Sequence, residues 1–489
     1  MMCAMSDLLV RDARLVPLDA EPSAEPVDVL VRSGVVSAVG PDLPDAGVPT
    51  IAADGRWLLP GLWDAHVHLG QWALVSRRLD LSQTRSPEEV LAAVAAAVAE
   101  GRPVVGMGHR AGTWPRTASV GELDAVSGAV PVVLVNSDFH HGWLNTAALD
   151  ALRLARRDGV VSESEWFDAY PRLTALVGGP TPEDYRRVMT AAASRGVVGV
   201  ADFEFGAPWT EWTQRWEHGC DLLRVRWAAY ADTFDAALAA GLRTGAGLVP
   251  GPATGLTVGS LKIISDGSLG TRTAWCCEPY ADSGGHGAPN QSTDDLRALI
   301  ARGHEAGFTV ATHAIGDRAL IEALAAYAAT GAAGSIEHAQ LVTGDAVAEL
   351  ARLGLTASVQ PAHLLDDRAT SERVWPGRGE RSFPLRWLRD AGVRLALGSD
   401  APVAPLDPWL AVSAAVHRGD PAEDPWHPEQ SLTTAEALAA SVDGRRTRVG
   451  EPGDLVLLDA DPLAASPAQL RGLTASLTVV GGRITWGPS

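Results

Sequence analysis

The spacing of apolar residues divides the chain into three regions. Residues 1–56 contain short apolar runs, such as Val29-Leu30-Val31, that glycine and proline interrupt, which is typical of β-strands. Residues 57–440 alternate short apolar runs with alanine-rich segments of helical length, the pattern of parallel βα units. Residues 441–489 return to short strand-like runs. We therefore expect a central α/β domain and one small β-sandwich that both ends of the chain build together.

One predicted helix has a recognisable beginning. The segment 87–100 reads as a helix, and Ser86 and Glu89 have the spacing of a capping box, in which each side chain accepts from the backbone N–H of the other residue. Two other alanine-rich segments, 293–306 and 317–329, are also predicted to be helices.

The amino-acid composition limits the possible binding partners more than it limits the possible folds. A net charge of −19 argues against nucleic acid and anionic membranes as partners. The N-terminal residues do not have the pattern of a secretory signal, and four cysteines are too few for a disulfide framework. We therefore expect a cytoplasmic protein with a small-molecule substrate, with no nucleic-acid or membrane partner, and we leave a homodimer open.

Lys262 is the one lysine of the chain, which otherwise uses 39 arginines as its basic residues. Arginine stays protonated, whereas a buried lysine can lose its proton. A neutral amine can add carbon dioxide and become a carbamate, whose two oxygens can bridge two metal ions. The alternative is an ordinary surface cation, which we discount because the flanking residues are apolar and an unpaired ammonium would be costly to bury there.

Ligand-type residues stand at the ends of several predicted strands. One apolar run closes in His66-Val67-His68, and the two-residue period of a strand puts both imidazoles on one face. Four further candidates each follow an apolar run: Lys262, His313, His338 and Asp400. Because the carboxyl ends of the strands of a βα barrel meet at one mouth, we expect the six residues to lie together. A core polar residue is the alternative for any one of them, but it does not explain all six.

The order of these residues resembles that of the binuclear-metal amidohydrolase superfamily. The local sequence is similar to the branch that contains N-substituted formamide deformylases. The motifs that carry this resemblance are residues 60–68, 139–145, 266–274, 313–319, 336–340 and 452–459.

The resemblance implies a fold, a metal site and a reaction. The fold is a distorted (β/α)8 TIM barrel with a small composite β-sandwich built from both termini. The ligands of two divalent ions are His66, His68, Lys262, His313, His338 and Asp400. Carboxylated Lys262 and a hydroxide would bridge the ions, and the hydroxide would attack the substrate carbonyl. A C–N bond other than a peptide bond would then break, and Asp400 would pass the proton to the leaving amine. Zinc suits the histidine-rich site, with manganese, iron and nickel as alternatives.

Three residues are candidates for binding the substrate, each with an ordinary alternative. The resemblance puts His140 or its neighbour His141 in the pocket, although a capping or packing role fits equally well. Trp114 is a candidate for an apolar wall, and core packing is its alternative. Arg272 is a candidate for binding a substrate carboxylate, and a surface salt bridge is its alternative.

Two long stretches without a strand or helix pattern, 267–291 and 362–382, are interpreted as loops that cap the active site. The basic residues of the second stretch are matched by acidic ones. We therefore expect a small, largely apolar or aromatic N-substituted amide or formamide as substrate. Hydrolysis of an ester, a carbamate or a cyclic amide at the same site is the alternative. A barrel that has lost its chemistry is a further interpretation, which the complete ligand set disfavours.

Overall fold

Strands and helices alternate along most of the chain in the computed structural model, which describes residues 7–18, 25–45, 47–111, 114, 116–136, 141–169, 172–173, 176, 178–249 and 255–488. The strands are β1 Leu8–Leu15, β2 Val27–Arg32, β3 Val35–Gly40, β4 Thr50–Ala52, β5 Trp57–Pro60, β6 Leu62–Val67, β7 Leu79–Asp80, β8 Val104–His109, β9 Val132–Asn136, β10 His141–Leu144, β11 Val161–Ser162, β12 Val197–Asp202, β13 Arg224–Ala229, β14 Leu256–Ile264, β15 Val310–Ala314, β16 Gly334–His338, β17 Thr356–Val359, β18 Arg394–Leu397, β19 Leu455–Leu458, β20 Leu477–Val480 and β21 Arg483–Trp486.

The helices lie mainly between the strands of the central region. Their bounds are Leu69–Val75, Pro87–Ala97, Val120–Ser127, Thr146–Ala151, Glu163–Ala169, Pro182–Ser194, Trp209–Glu217, Ala231–Ala239, Thr293–Glu305, Asp317–Thr330, Gly344–Leu353, Leu364–Val374, Leu385–Asp390, Pro408–His417, Thr434–Ala440 and Pro467–Gly472. Within the described residues, none of these helices combines the length and the apolar character needed to cross a membrane.

Eight parallel strands, β6 and β12 to β18, follow one another around a nearly closed barrel. A bridge between Val67 and Ala401 brings the two ends of this sheet together. Helices cover the outer face, so the strands are buried on both sides and read as apolar runs in the sequence. The predicted (β/α)8 barrel is confirmed.

Strands from both ends of the chain share a second sheet, in the order β21-β20-β19-β5-β1-β2-β3, with β4 beside β1. Its central pair is antiparallel and places Leu58 opposite Leu457. Arg224 of β13 donates to both carboxylate oxygens of Asp454, at 2.6 and 2.9 Å, and so ties this sheet to a barrel strand. The domain boundaries expected at residues 56 and 440 remain predictions.

Residues 73–184 form a separate compact unit. It contains a five-stranded sheet in the order β11-β10-β9-β8-β7. Apolar side chains of the strands pack against helices on each side of this sheet, with Trp143 and Trp166 among the fully buried residues. Sequence patterns did not separate this unit from the barrel because it uses the same strand and helix periods.

Two local predictions need correction. The helix predicted at 87–100 is α-helical over Pro87–Ala97, and Ser86 caps it, but the Glu89 carboxylate accepts from the backbone N–H of Arg85. The capping box is therefore not closed on Ser86. The second predicted loop, 362–382, contains the helix Leu364–Val374, whose charged residues gave little apolar periodicity to detect.

Candidate active site

The ligand-type residues predicted from the sequence lie at the carboxyl-terminal ends of barrel strands. His66 belongs to β6, and His68 directly follows that strand. The other four lie at four further strands, with Lys262 in β14, His313 in β15, His338 in β16 and Asp400 after β18. Lys262 was expected after a strand ending at Leu261, but β14 continues to Ile264, so the lysine lies within the strand.

The Asp400 carboxylate faces the two histidines of β6. Its Oδ1 atom lies 3.5 Å from Nε2 of His66 and 3.3 Å from Nε2 of His68. Burial alone would raise the pKa of Asp400, but the nearby His66 and His68 outweigh it and lower that pKa below its ordinary value. Asp400 therefore remains an anion that can serve as a metal ligand or accept a proton.

Two further imidazoles complete this cluster. The ring centroid of His338 lies 5.1 Å from that of His66 and 4.5 Å from that of His313. Three potential ligand atoms lie within 4.8 Å of one another, one each from His66, His338 and Asp400. Burial lowers the pKa of His66 and of His338 well below the ordinary histidine value. Burial therefore favours the neutral form of both rings, which is the form that binds a metal.

Lys262 is buried below this cluster, with only 3% of its surface exposed. Among the described residues its Nζ atom has no hydrogen-bond partner, and it lies 4.6 Å from the ring centroid of Phe203. Burial lowers the pKa of Lys262 to about 8, although the charges of Glu337 and Asp400 act in the opposite direction. The amine is thus far easier to deprotonate than an exposed one.

Two buried carboxylates hold His66 in position. The Nδ1 atom of His66 lies 2.7 Å from Oε2 of Glu337, so the imidazole donates its proton there and Nε2 remains available to a metal. The backbone N–H groups of His66 and Ser399 both donate to Asp64, at 3.1 and 3.0 Å. Burial raises the pKa of Asp64 to about 6 and also raises the pKa of Glu337.

Asp266 ties the loop after β14 to the loop after β15. Its carboxylate accepts from the backbone N–H groups of Trp275, Ile315 and Gly316 at 2.9 to 3.1 Å. The Nε2 atom of His313 lies 3.2 Å from the carbonyl oxygen of Gly267. The same Nε2 atom lies 3.3 Å from Oδ1 of Asp266, so both contacts engage one ring nitrogen of His313.

The backbone is unusual at two of the ligand-type positions. His338 has φ of 73° and Asp400 has φ of 56°, a left-handed conformation that is uncommon for residues other than glycine. Such strain is maintained where the surrounding structure determines it and is concentrated at functional sites. Next to Asp400, a Cβ at Gly398 would lie 2.7 Å from the backbone nitrogen of His66, so this approach of β18 to β6 requires glycine.

A cavity of about 640 Å³ opens over these residues. Its lining comprises all six ligand-type residues together with Gln71, Phe205, Ile264, Asp266, Gly267, Ser268, Leu269, Gly270, Thr271, Thr273, Asn290, Ile315, Gln340, His363, Asp366, Asp367, Pro402 and Val403. The structure therefore brings together the residues that the sequence singled out at distant positions. Parts of both predicted capping stretches also line the cavity.

His363 was assigned no role from the sequence, yet it lines the same cavity. Its Nε2 atom lies 3.8 Å from Oδ2 of Asp400, and its ring is 6.1 Å from that of His338. It lies just beyond β17, so the strand-end position used for the other residues was also available for His363. Pro361 and the helix that follows obscured that signal.

Two of the weaker substrate-binding candidates, Arg272 and Trp114, have contacts of their own. The Arg272 guanidinium donates to Asp282 at 2.9 and 3.1 Å and to the carbonyl of Gly270, which is the salt bridge considered as its alternative. Trp114 belongs to the unit 73–184, where its ring stacks on His109 at 5.2 Å. His140 lies outside the described residues. The substrate-binding roles of these residues remain predictions.

The side chains around Asp400 suit divalent metal ions. Within the described residues, Nδ1 of His338 and Nζ of Lys262 are buried without a hydrogen-bond partner. Unsatisfied buried polar atoms are costly, and metal coordination would remove that cost. Neutral imidazoles and a carboxylate are also the donors that zinc and related ions prefer.

Comparisons with known proteins agree with this architecture. LONG AFTER FAR-RED 3 of Arabidopsis thaliana is 27% identical over 485 residues, which cover 89% of this chain and 82% of that protein. N-substituted formamide deformylase of Arthrobacter pascens is 26% identical over 564 aligned positions, covering 98% of each chain. A metal-dependent hydrolase of Pyrococcus horikoshii superposes with a TM-score of 0.78 and 25% identity, covering 95% of this chain and 99% of that one. Since the sequence profile of the amidohydrolase family matches residues 49–486, this chain belongs to the amidohydrolase family of hydrolases.

Proposed function

We propose that the protein hydrolyses a C–N bond of a small N-substituted amide or formamide in a metal-dependent reaction. The observation that carries this proposal is the meeting of six ligand-type side chains at the base of one cavity. The similarity to N-substituted formamide deformylase supports the choice of bond. Divalent ions held there would polarise a carbonyl and lower the pKa of a bound water toward neutrality.

We assign the ions to His66, His68, Lys262, His313, His338 and Asp400. His66 is held for this role by its contact with Glu337, which leaves Nε2 toward Asp400. Asp400 remains ionised and can accept a proton at a carboxylate oxygen and deliver it to the leaving amine.

Lys262 is proposed to be carboxylated. An amine cannot bind a cation while it is protonated, and this one lies buried without a hydrogen-bond partner among the described residues. Addition of carbon dioxide to the neutral amine forms a C–N bond, releases one proton and gives an anionic carbamate that can ligate metal. Growth with ¹³C-labelled bicarbonate should then give a carbamate carbon signal in the wild type and none in Lys262→Ala.

The shape of the cavity supports a substrate with an apolar substituent. Phe205 and Val403 line the cavity, with 50% and 63% of their surfaces exposed. Phe205 is fixed by stacking on His68 at 4.7 Å. Large exposed apolar side chains at a cavity are typical of a binding surface, and an alkyl or aryl group would cover them.

A turnover screen with zinc-loaded protein tests this proposal. The screen compares alkyl- and benzyl-formamides with dihydropyrimidines, N-acetyl sugars and esters of the same alkyl groups. We expect release of formate from the formamides, and none from protein treated with a chelator. Preferred hydrolysis of an ester or a cyclic amide would replace the proposed bond while keeping a hydrolase. If the purified protein contains no stoichiometric metal and shows no turnover after zinc is added, the result would support a non-catalytic barrel.

A further inference from the structure

The cavity lining includes two acidic side chains, Asp366 and Asp367, which lie in the first turn of the helix Leu364–Val374. Neither carboxylate forms an ion pair with a basic residue in the described part of the chain. Asp367 accepts one hydrogen bond, from the side-chain amide of Gln340 at 2.9 Å. Burial raises the pKa of Asp367, while the nearby His363 and the hydrogen bond from Gln340 act in the opposite direction.

Arginines of the same segment are directed to other partners. Arg368 donates to the carbonyl of Asp424 at 2.8 Å. Arg378 donates to the carbonyl of Pro279 at 2.7 Å, and Arg381 donates to Asp317 at 3.3 Å. The sequence suggested that acidic and basic residues of this segment neutralise each other. Among the described residues Arg368 does pair with Glu372 of this segment, but none of Arg368, Arg378 and Arg381 forms an ion pair with Asp366 or Asp367, which line the cavity.

His363 lines the same cavity and gives a second sign of a bound molecule there, with its Nε2 atom 3.8 Å from Oδ2 of Asp400. It precedes Asp367 by one helical turn, so the two side chains lie on the same side of the chain. The side chain of His363 is 8% exposed, and its Nε2 atom has no hydrogen-bond partner among the described residues. A buried imidazole nitrogen that lines a cavity without a partner is expected to bond a bound molecule.

The other walls restrict the kind of molecule. Among the described residues no arginine lines the cavity, and its one lysine is the buried Lys262. A substrate with a free carboxylate would therefore meet the acidic groups of Asp366 and Asp367 and no arginine in the lining. Ile264, Leu269 and Ile315 contribute apolar side chains to the lining of the same cavity.

We propose that Asp366 and Asp367 bind a protonated amine on the substrate, so that the preferred substrates are small N-substituted amides that also carry an ammonium group. This proposal rests on the proposed amide hydrolysis and adds the substrate class. The apolar walls accommodate a short alkyl chain between the amide and the ammonium group. The two aspartates act as specificity-determining residues.

The test compares three formamides with the same four-carbon chain, which ends in an ammonium, a methyl or a carboxylate group. The wild type should prefer the ammonium compound over the methyl compound by at least about fivefold in kcat/KM, as expected for a partly exposed ion pair. The carboxylate compound should be the poorest of the three. Asp366→Asn and Asp367→Asn should each reduce the ratio between ammonium and methyl substrates, with KM carrying most of the change.

Glu372→Gln is the matched control, because Glu372 lies on the same helix, pairs with Arg368 and does not line the cavity. This variant should keep the wild-type ratio. Equal kcat/KM for the ammonium and methyl compounds in the wild type, or an unchanged ratio in both aspartate variants, would overturn the proposal.

A binding measurement separates this proposal from the proposed function. Calorimetric titration with the four-carbon diamine, which is the product of the ammonium substrate, reports binding without turnover. Binding by the wild type that is lost in the Asp366→Asn, Asp367→Asn double variant supports the site even if none of the formamides is hydrolysed. Absence of binding to the wild type counts against the site even if the methyl compound is hydrolysed.

Discussion

Lys262 combines two properties that an ordinary basic residue does not have. It is buried in a barrel strand, and among the described residues its amine has no hydrogen-bond partner. The chain places arginine at every other basic position. An arginine at this position would stay charged at any working pH, and it could not form a carbamate.

Lys262→Arg is therefore expected to abolish turnover and to lower the metal content, as is Lys262→Ala. Elemental analysis gives the metal bound per chain, and circular dichroism checks that each variant is folded. Wild-type rates in a folded Lys262→Arg variant would contradict the carbamate assignment.

Asp400 has a separate role that can be tested with less disturbance of the metal site. Asp400→Asn keeps the size of the side chain and the backbone hydrogen bond from Asp400 to the carbonyl of His66 at 2.7 Å. The amide cannot take up and release the proton, so turnover should fall by about 10² to 10⁴-fold. The variant should keep its fold and at least one metal ion. A loss of only a few-fold would move proton transfer to another side chain.

At the scale of elements, the loop after β14 depends on a close contact with the start of the helix Asp317–Thr330. The carbonyl of Trp275 accepts from the backbone N–H groups of Arg318 and Ala319 at 3.1 and 3.2 Å. Gly316 lies under this contact, and a Cβ there would be 2.1 Å from the carbonyl oxygen of Trp275. The loop must move to accept any side chain at Gly316.

Gly316→Ala should reduce the free energy of unfolding by about 1 to 3 kcal/mol, the usual cost of overpacking. It should also lower turnover, because the displaced loop lines the cavity. Gly344→Ala is the matched control, since Gly344 begins another helix and its Cβ would meet open space. Urea denaturation gives the stability of both variants. Equal free energies of unfolding for Gly316→Ala and Gly344→Ala would show that Gly316 and the carbonyl of Trp275 are not in tight contact.

At the scale of the whole molecule, the sheet built from both chain ends is joined to the barrel by the pair of Arg224 and Asp454. Only 17% and 8% of these side chains are exposed, and Asp454 also accepts from the backbone N–H of Gly481 at 2.7 Å. Removing the carboxylate would leave a poorly solvated guanidinium and an unsatisfied amide.

Asp454→Ala should accordingly cost about 2 to 4 kcal/mol of the free energy of unfolding, because it leaves a largely buried charge unpaired. The control is Asp459→Ala, whose partner Arg56 is 3.7 Å away and whose side chain is 74% exposed. That change should cost less than about 1 kcal/mol. Thermal unfolding distinguishes the two, and the metal content of both folded variants should match the wild type. Similar losses of stability would mean that the Arg224 contact does not anchor the sheet.

The sequence by itself determined the parallel βα pattern and the positions of the ligand-type residues at strand ends. Both follow from local rules, since parallel βα units leave a repeated apolar pattern and His66 and His68 share a face through the two-residue period of a strand. The (β/α)8 barrel was predicted from the resemblance to the amidohydrolase superfamily. The metal roles of these residues remain predictions, because geometry shows that they meet and not what they bind.

Only the tertiary structure decided which other side chains join them. His363, Asp366 and Asp367 lie in a segment that the sequence described as a loop, and they reach the cavity because the helix after β17 turns toward it. Arg272 pairs with Asp282, because a charged side chain bonds to whichever partner the fold brings near it. The separate unit 73–184 was also undetectable, since strand and helix periods do not state which strands pair. Side-chain partners and strand pairings depend on contacts between distant segments, and no local pattern encodes them.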